Sequence, residues 1–207
     1  EECYFTFSYS PIRDLNGEVV GLLSTAIETT DAILMKRRER FLQCLAQPTG
    51  PSTPLQVIER VHQMLDDFDD ILFHVTLMRT VDHEPRAKAS DGVSLVPGDL
   101  VAFLSSEEVE AALADGDIVH LPLADCSGLV AGSEHIERCS GVAIVRASRP
   151  KMFETCVDLV LGLPSSLRWD DNLSTFIKRI AETIEYQCDT QQLRLLLIEE
   201  AEDRYRR

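Results

Sequence analysis

Hydrophobic and polar positions change period several times along this chain. From Tyr4 to Ser10, Phe5, Phe7 and Tyr9 alternate with Thr6, Ser8 and Ser10, the period of a strand with one face buried. Pro11 closes that run. Asp14-Leu15-Asn16-Gly17 is turn chemistry, and Val19 to Ile27 is a second apolar run rich in β-branched residues. Residues 1–27 therefore read as a β-hairpin, which is marginal without further pairing. Thr29 or Thr30 is placed to cap a following helix, with Asp31 in its first turn. That helix is expected to reach about Gln47, with Leu34, Phe41 and Leu45 on one side and the basic run Lys36 to Arg40 on the other. Pro48-Thr49-Gly50-Pro51-Ser52 breaks it and marks a domain boundary.

Thr53 caps the next predicted helix, with Pro54 at its favoured first position and Val57, Ile58, Val61 and Leu65 on its apolar face. Ile71 to Val81 alternates as a strand, Asp82 to Pro85 turns, and Arg86 to Ser90 returns. Ser105 and Glu108 form a capping-box pattern that opens a helix to about Ala114, ended by Asp115-Gly116. Asp117 to Leu123 is a predicted strand carrying His120, and Asp125 to Arg138 a loop. Cys139 to Ala147 and Phe153 to Leu161 are two further predicted strands, after which Gly162 to Ser166 turns into the last helix. Hairpin-length turns between separated strand and helix runs predict an α+β fold: an antiparallel sheet with helices packed on it.

The last segment, Asp170 to Arg207, contains no Pro or Gly. Asp170 and Asp171 favour a helix N-terminus. Leu173, Ile177, Ile180 and Ile184 recur at helical spacing, Gln187, Gln191 and Arg194 follow in that register, and Leu195 and Ile198 restart an apolar face at a shifted phase. The first half reads as a helix lying on a core and the second as a rod leaving it. At ~1.5 Å per residue the segment would span roughly 55 Å. The uncapped charged end, and the absence of an initial Met, lead to the expectation of a piece of a longer protein.

Composition narrows the classes. A hydrophobic fraction of 44% argues for a folded core and against disorder. A net charge of -15 is a poor match for nucleic-acid phosphate, so the basic run Lys36 to Arg40 reads as a solvated helix face. No run is long enough to span a membrane, and no signal peptide is expected. The scattered cysteines include no CxxC pair, so reduced thiols and a cytoplasmic location are expected.

Two segments carry a resemblance to known families. Phe5-Thr6-Phe7-Ser8-Tyr9-Ser10-Pro11-Ile12-Arg13-Asp14, Gly17-Glu18-Val19-Val20-Gly21 and Ile27-Glu28-Thr29-Thr30 resemble the last two strands of a PAS domain in multidomain sensor histidine kinases. Asp158-Leu159-Val160-Leu161-Gly162-Leu163-Pro164, Arg168-Trp169-Asp170-Asp171 and Phe176-Ile177 resemble the final strand, proline turn and closing helix of a GAF domain in such kinases. The resemblance implies a PAS remnant over 1–30, a connecting helix and linker over 31–52, a GAF domain over 53–186 and the start of an output helix over 187–207. It implies a sensory or relay role, a homodimer formed through the flanking helices, a possible small-molecule ligand, and a kinase core outside this chain. The alternatives are a GAF-fold thiol enzyme similar to the free methionine sulfoxide reductases, and a ligand-free dimerisation module.

Candidate chemistry is sparse. His135 and Cys139 are four residues apart, but two ligands do not make a metal site. The thiol-enzyme alternative would draw on Cys126, Cys139 and Cys156. His74 and His120 alternate with apolar residues and read as structural. Neither the bilin-attachment nor the cyclic-nucleotide pattern of GAF relatives is present. No catalytic constellation is found, no cofactor is assigned, and the chain is not expected to be an enzyme. The expected pocket groups are Phe103, His120, Cys126 and His135, on the loop side of the GAF-like sheet.

Overall fold

Alternation of side chains across the strands places apolar residues on both faces of the main sheet, and helices cover each face. The computed structural model describes residues 3–47, 53–67, 73–80, 83–89, 103–104, 106–122, 139–148, 155–164 and 167–206. The chain divides into two compact units, Glu1–Arg40 and Phe41–Arg207.

In the first unit, strands β1 (Phe5–Arg13) and β2 (Val19–Glu28) pair antiparallel, with Phe7 opposite Ala26 and Tyr9 opposite Ser24. Asp14 builds the turn: its Oδ1 accepts the amides of Asn16 at 2.8 Å and Glu18 at 2.9 Å, while Gly17 takes φ 84°. The expected buried face is not observed. Phe5, Phe7 and Tyr9 are 51%, 58% and 67% exposed, and Leu22 and Leu23 are exposed too. A two-stranded ribbon can hide a face only under a second layer. The cap expectation also changes. The Thr29 and Thr30 hydroxyls serve the start of the hairpin instead: Thr30 Oγ1 accepts the Tyr4 amide at 2.9 Å, and Thr29 donates to the Tyr4 carbonyl at 3.4 Å. Helix α1 (Thr30–Leu45) follows, and its Arg37 guanidinium lies 5.3 Å from the Tyr4 ring centroid.

The second unit begins with the last turn of α1, where Phe41, Leu42 and Leu45 are buried. Among the described residues its sheet has five strands in the order β4-β3-β7-β6-β5. These are β3 (Phe73–Thr80), β4 (His83–Ala89), β5 (Val119–Pro122), β6 (Cys139–Ser148) and β7 (Thr155–Pro164), with every neighbour antiparallel. Among the described residues, helices α2 (Pro54–Asp67), α3 (Glu107–Asp115) and α4 (Asp171–Arg206) belong to this unit. This is the expected α+β architecture, an antiparallel sheet with helices packed on it.

Several boundaries differ from the sequence reading, each for a local reason. Strand β4 starts at His83 and absorbs Pro85, which an edge strand tolerates. Strand β7 runs on through Gly162 and Leu163 to Pro164, because Leu163 is buried and pairs with Gly141. Helix α3 has Ser106 at its N-cap, without a side-chain cap bond, and Ser105 of the expected capping box lies outside the described residues. Helix α2 carries a reciprocal cap: Thr53 N donates to Gln56 Oε1 at 2.9 Å, and Gln56 N to Thr53 Oγ1 at 3.3 Å.

The larger core lies on one face of the sheet. There Ala143, Val145 and Ala147 of β6 and Val157, Leu159, Leu161 and Leu163 of β7 pack with Phe41, Leu45, Val57 and Val61. From α4 come Leu173, Phe176, Ile177, Ile180 and Ile184. The Phe41 and Phe176 rings meet edge-on, 6.0 Å apart. The smaller core lies on the other face, where Val142, Ile144 and Val160 meet Leu104, Val109 and Leu113. Burial along α4 does not stop at Ile184, as the periodicity predicts, but continues through Cys188 to Gln191. Beyond that, Leu193, Leu196, Leu197 and Ile198 are exposed on the same unbroken helix.

Candidate functional site

Helix α3 is a short cover held to the sheet by few contacts. Glu107, Glu108 and Glu110 in its first turn complement the helix dipole. Gly116 ends it at φ 85°, and the Gly116 and Asp117 amides bond to Leu113 O at 3.3 Å and Ala112 O at 3.0 Å. Only Val109 and Leu113 of this helix are buried. The remaining tie is ionic. Arg146 of β6 and Asp158 of β7 stand directly opposite in the ladder. Arg146 Nε donates to Asp158 Oδ1 at 2.8 Å, and Nη2 to Oδ2 at 3.5 Å. The other edge of the same guanidinium faces α3: Nη1 donates to Glu110 Oε1 at 2.7 Å and Nη2 to Oε2 at 3.0 Å. The side chains of Arg146, Asp158 and Glu110 are 4%, 0% and 45% exposed. Burial of a guanidinium and a carboxylate demands this kind of pairing, since an unmatched charge there would cost several kcal/mol.

The opposite face carries an aromatic stack. His120 of β5 lies parallel to Trp169, with ring centroids 4.1 Å apart and planes 2° from parallel. Burial lowers the His120 pKa from 6.5. Trp169 directly precedes Asp170, whose Oδ1 accepts the Leu173 amide at 2.7 Å and so caps α4. The stack therefore joins an edge strand to the start of the long helix.

A third cluster gathers the ends of helices. Arg60 of α2 donates to the carbonyls of Cys44 at 3.2 Å and Gln47 at 3.0 Å, satisfying the C-terminus of α1. Gln187 Nε2 of α4 donates to Leu45 O. An open groove of about 270 Å³ beside them is lined by Ala46, Glu182, Thr183, Tyr186 and Gln187. Its Thr183 hydroxyl already donates to Arg179 O at 2.7 Å, so the groove offers little converging polarity.

Of the four expected pocket residues only Phe103 and His120 are described, and these two lie on opposite faces of the sheet. Phe103 packs against the α3-side core, whereas His120 stacks on Trp169, which packs against the core on the other face. Cys126 and His135 lie outside the described residues, as do the side chains of Cys139 and Cys156. The sequence reading overlooked Glu110, Arg146 and Asp158. Their signal was present: Arg146 and Asp158 are opposite charges interrupting the adjacent apolar strands Val142–Ala147 and Val157–Leu163. Among the described residues no group of three His, Cys, Asp or Glu is placed to hold a metal ion. No described helix is long and apolar enough to cross a membrane.

No family model matches the chain, and no curated protein matches it. Among solved structures, the chain is similar to the GAF domain from Acinetobacter phosphoenolpyruvate-protein phosphotransferase, at 12% identity and a TM-score of 0.47, over 78% of this chain and 95% of that one. It is also similar to the N-acylhomoserine lactone dependent LuxR family transcription factor CepR2 from Burkholderia cenocepacia, at 9% identity and a TM-score of 0.42, over 80% of this chain and 99% of that one.

Proposed function

We propose that this chain is the sensory and signal-relay region of a two-component sensor histidine kinase, with a GAF-type domain as its second unit and a kinase core downstream. The observation that carries the reading is the continuity of α4. One helix packs across the sheet from Leu173 to Gln191 and runs on, exposed, to Arg206. A shift of the sheet against α4 would thus reach the far end of the rod without a joint to absorb it. Trp169 and its stack on His120 tie the start of that helix to β5. The chain itself makes or breaks no bond in this reading. It biases two packings of sheet and helix, and a ligand acts by preferring one.

The rod is also the proposed dimer contact. Tyr186, Leu193 and Leu197 are 72%, 52% and 56% exposed, and with Thr190 they recur at steps of four and three, the spacing of a coiled-coil seam. Light scattering coupled to size exclusion is expected to give a dimer. The double substitution Leu193→Glu with Leu197→Glu is expected to give a monomer of unchanged circular dichroism. A wild-type monomer at high concentration would remove the relay reading. In the parent protein, the same substitutions are expected to change histidine autophosphorylation.

A further inference from the structure

We propose that the groove beside α4 is a socket for the Tyr186 ring of a second copy of this chain, and that exchange of the two rings sets the rods parallel and in register. The inference deepens the proposed relay role and rests on it, because it names the anchor of that pairing. The groove holds about 270 Å³ and is lined by Ala46, Glu182, Thr183, Tyr186 and Gln187. Pockets that enclose a small molecule are larger, ~300–1,000 Å³. An open groove of this size suits a single side chain presented by another helix. Thr183, Tyr186 and Gln187 stand at i, i+3 and i+4 on α4, and Thr190 at i+7 completes the four-cornered hole that receives a knob from a facing helix. Ala46 adds only a methyl group, which leaves the hole wide.

The corners suit an apolar knob. Thr183 Oγ1 donates to Arg179 O and Thr190 Oγ1 to Tyr186 O, each at 2.7 Å. With both hydroxyls spent on their own helix, these positions act as apolar seam residues. Gln187 Nε2 is committed to Leu45 O. The knob lies on the same stripe, where Tyr186 is 72% exposed. Since Tyr186 also lines the socket, a two-fold axis places each ring in the other copy's groove with the two rings adjoining, a self-complementary contact. Charge sets the direction. With Tyr186 opposite Tyr186 in a parallel pair, Asp189 and Arg194 occupy the flanking positions that meet across the seam, opposite in sign on both sides. An antiparallel pair about the same point would instead turn Asp189 towards Glu182 of the other copy, a like-charge contact.

Sedimentation equilibrium on the whole chain tests the socket. Ala46→Leu fills it from an exposed position and is expected to weaken dimerisation about tenfold, with unchanged circular dichroism. Tyr186→Ala is expected to weaken it by a similar factor, and Tyr186→Phe to stay within about threefold of wild type. Photo-oxidative coupling of tyrosines is expected to give a covalent dimer with a Tyr186–Tyr186 link in peptide mass spectrometry. Arg194→Asp is expected to weaken the dimer, and Asp189→Arg combined with Arg194→Asp to restore it. A dimer indifferent to Ala46→Leu and Tyr186→Ala, a coupled product without that link, or no recovery in the charge exchange overturns the inference and leaves the relay reading standing. So does a small molecule retained in native mass spectrometry and lost in Ala46→Leu. A wild-type monomer at high concentration removes the relay reading itself, and the socket with it.

Discussion

Cys188 shows what burial does to a single group in this fold. Its thiol is 1% exposed, and desolvation, helped by the charges of Asp189 and Glu185, pushes its pKa from 9.0 up to about 12. The unfolded thiol ionises first as pH rises. Its contribution to stability is therefore complete below pH 9.0 and is lost progressively towards about 12. Iodoacetamide at pH 8 is expected to label exposed Cys3 and to leave Cys188 unmodified until the chain is unfolded, as read by peptide mass spectrometry. His120 moves the opposite way. Its pKa is lowered by burial, so its contribution is complete above 6.5 and is lost as pH falls through the lower folded value. An NMR titration of the imidazole is expected to give a midpoint below 6.5, and His120→Gln to flatten the fall of urea stability on acidification. A midpoint above 6.5 would mean that Trp169 stabilises the cation more than burial penalises it. At this scale the sequence was a partial guide. It read His120 as structural in preference to a haem ligand and also placed it in a pocket group with Phe103, but a sequence pattern cannot say which face of a sheet meets which helix, and the two lie on opposite sides.

Strand β5 is held at the edge of the sheet through a contact that leaves no room for a side chain. A Cβ on Gly141 would lie 2.6 Å from Leu121 O and 3.3 Å from His120 Nε2. Gly141→Ala must therefore push β5 away from β6, and is expected to destabilise the protein by about 1–3 kcal/mol in urea unfolding. The same displacement would separate His120 from Trp169. Elements with strong local signals were readable in advance, namely the hairpin around Asp14 to Gly17, the α2 cap at Thr53, and the long terminal helix. Their ends were less so. Pro85 and Pro164 look like turn residues in isolation and become strand residues because their neighbours in the sheet recruit them. The extension of burial on α4 to Cys188 and Gln191 likewise depends on how far the helix overlies its neighbours, which no local pattern records.

Across the whole molecule, the two units differ in how they are stabilised. The first is a two-stranded ribbon whose apolar side chains are exposed, and the second has apolar cores on both faces of a five-stranded sheet. Native-state hydrogen exchange is expected to show β1 and β2 amides opening locally, with β6 and β7 amides protected up to global unfolding. Equal protection in both would mean that the ribbon is covered in solution. The α+β class was legible because turn lengths and the order of runs limit the layer arrangements available. The Glu110–Arg146–Asp158 cluster was legible only in its strand half: Arg146 and Asp158 interrupt consecutive apolar strands, whereas Glu110 comes from a helix 36 residues before Arg146 that no local pattern links to them.

The chain contains a single tryptophan, and it is the one stacked on His120 immediately before the cap of α4. Indole emission responds to an adjoining imidazole, above all a protonated one. The intrinsic fluorescence of the unlabelled protein therefore reports from one place, the point where the edge of the sheet meets the root of the long helix. Whatever loosens that point, whether acid, a substitution or a bound molecule, will register there as a change in colour and intensity, with no dye attached.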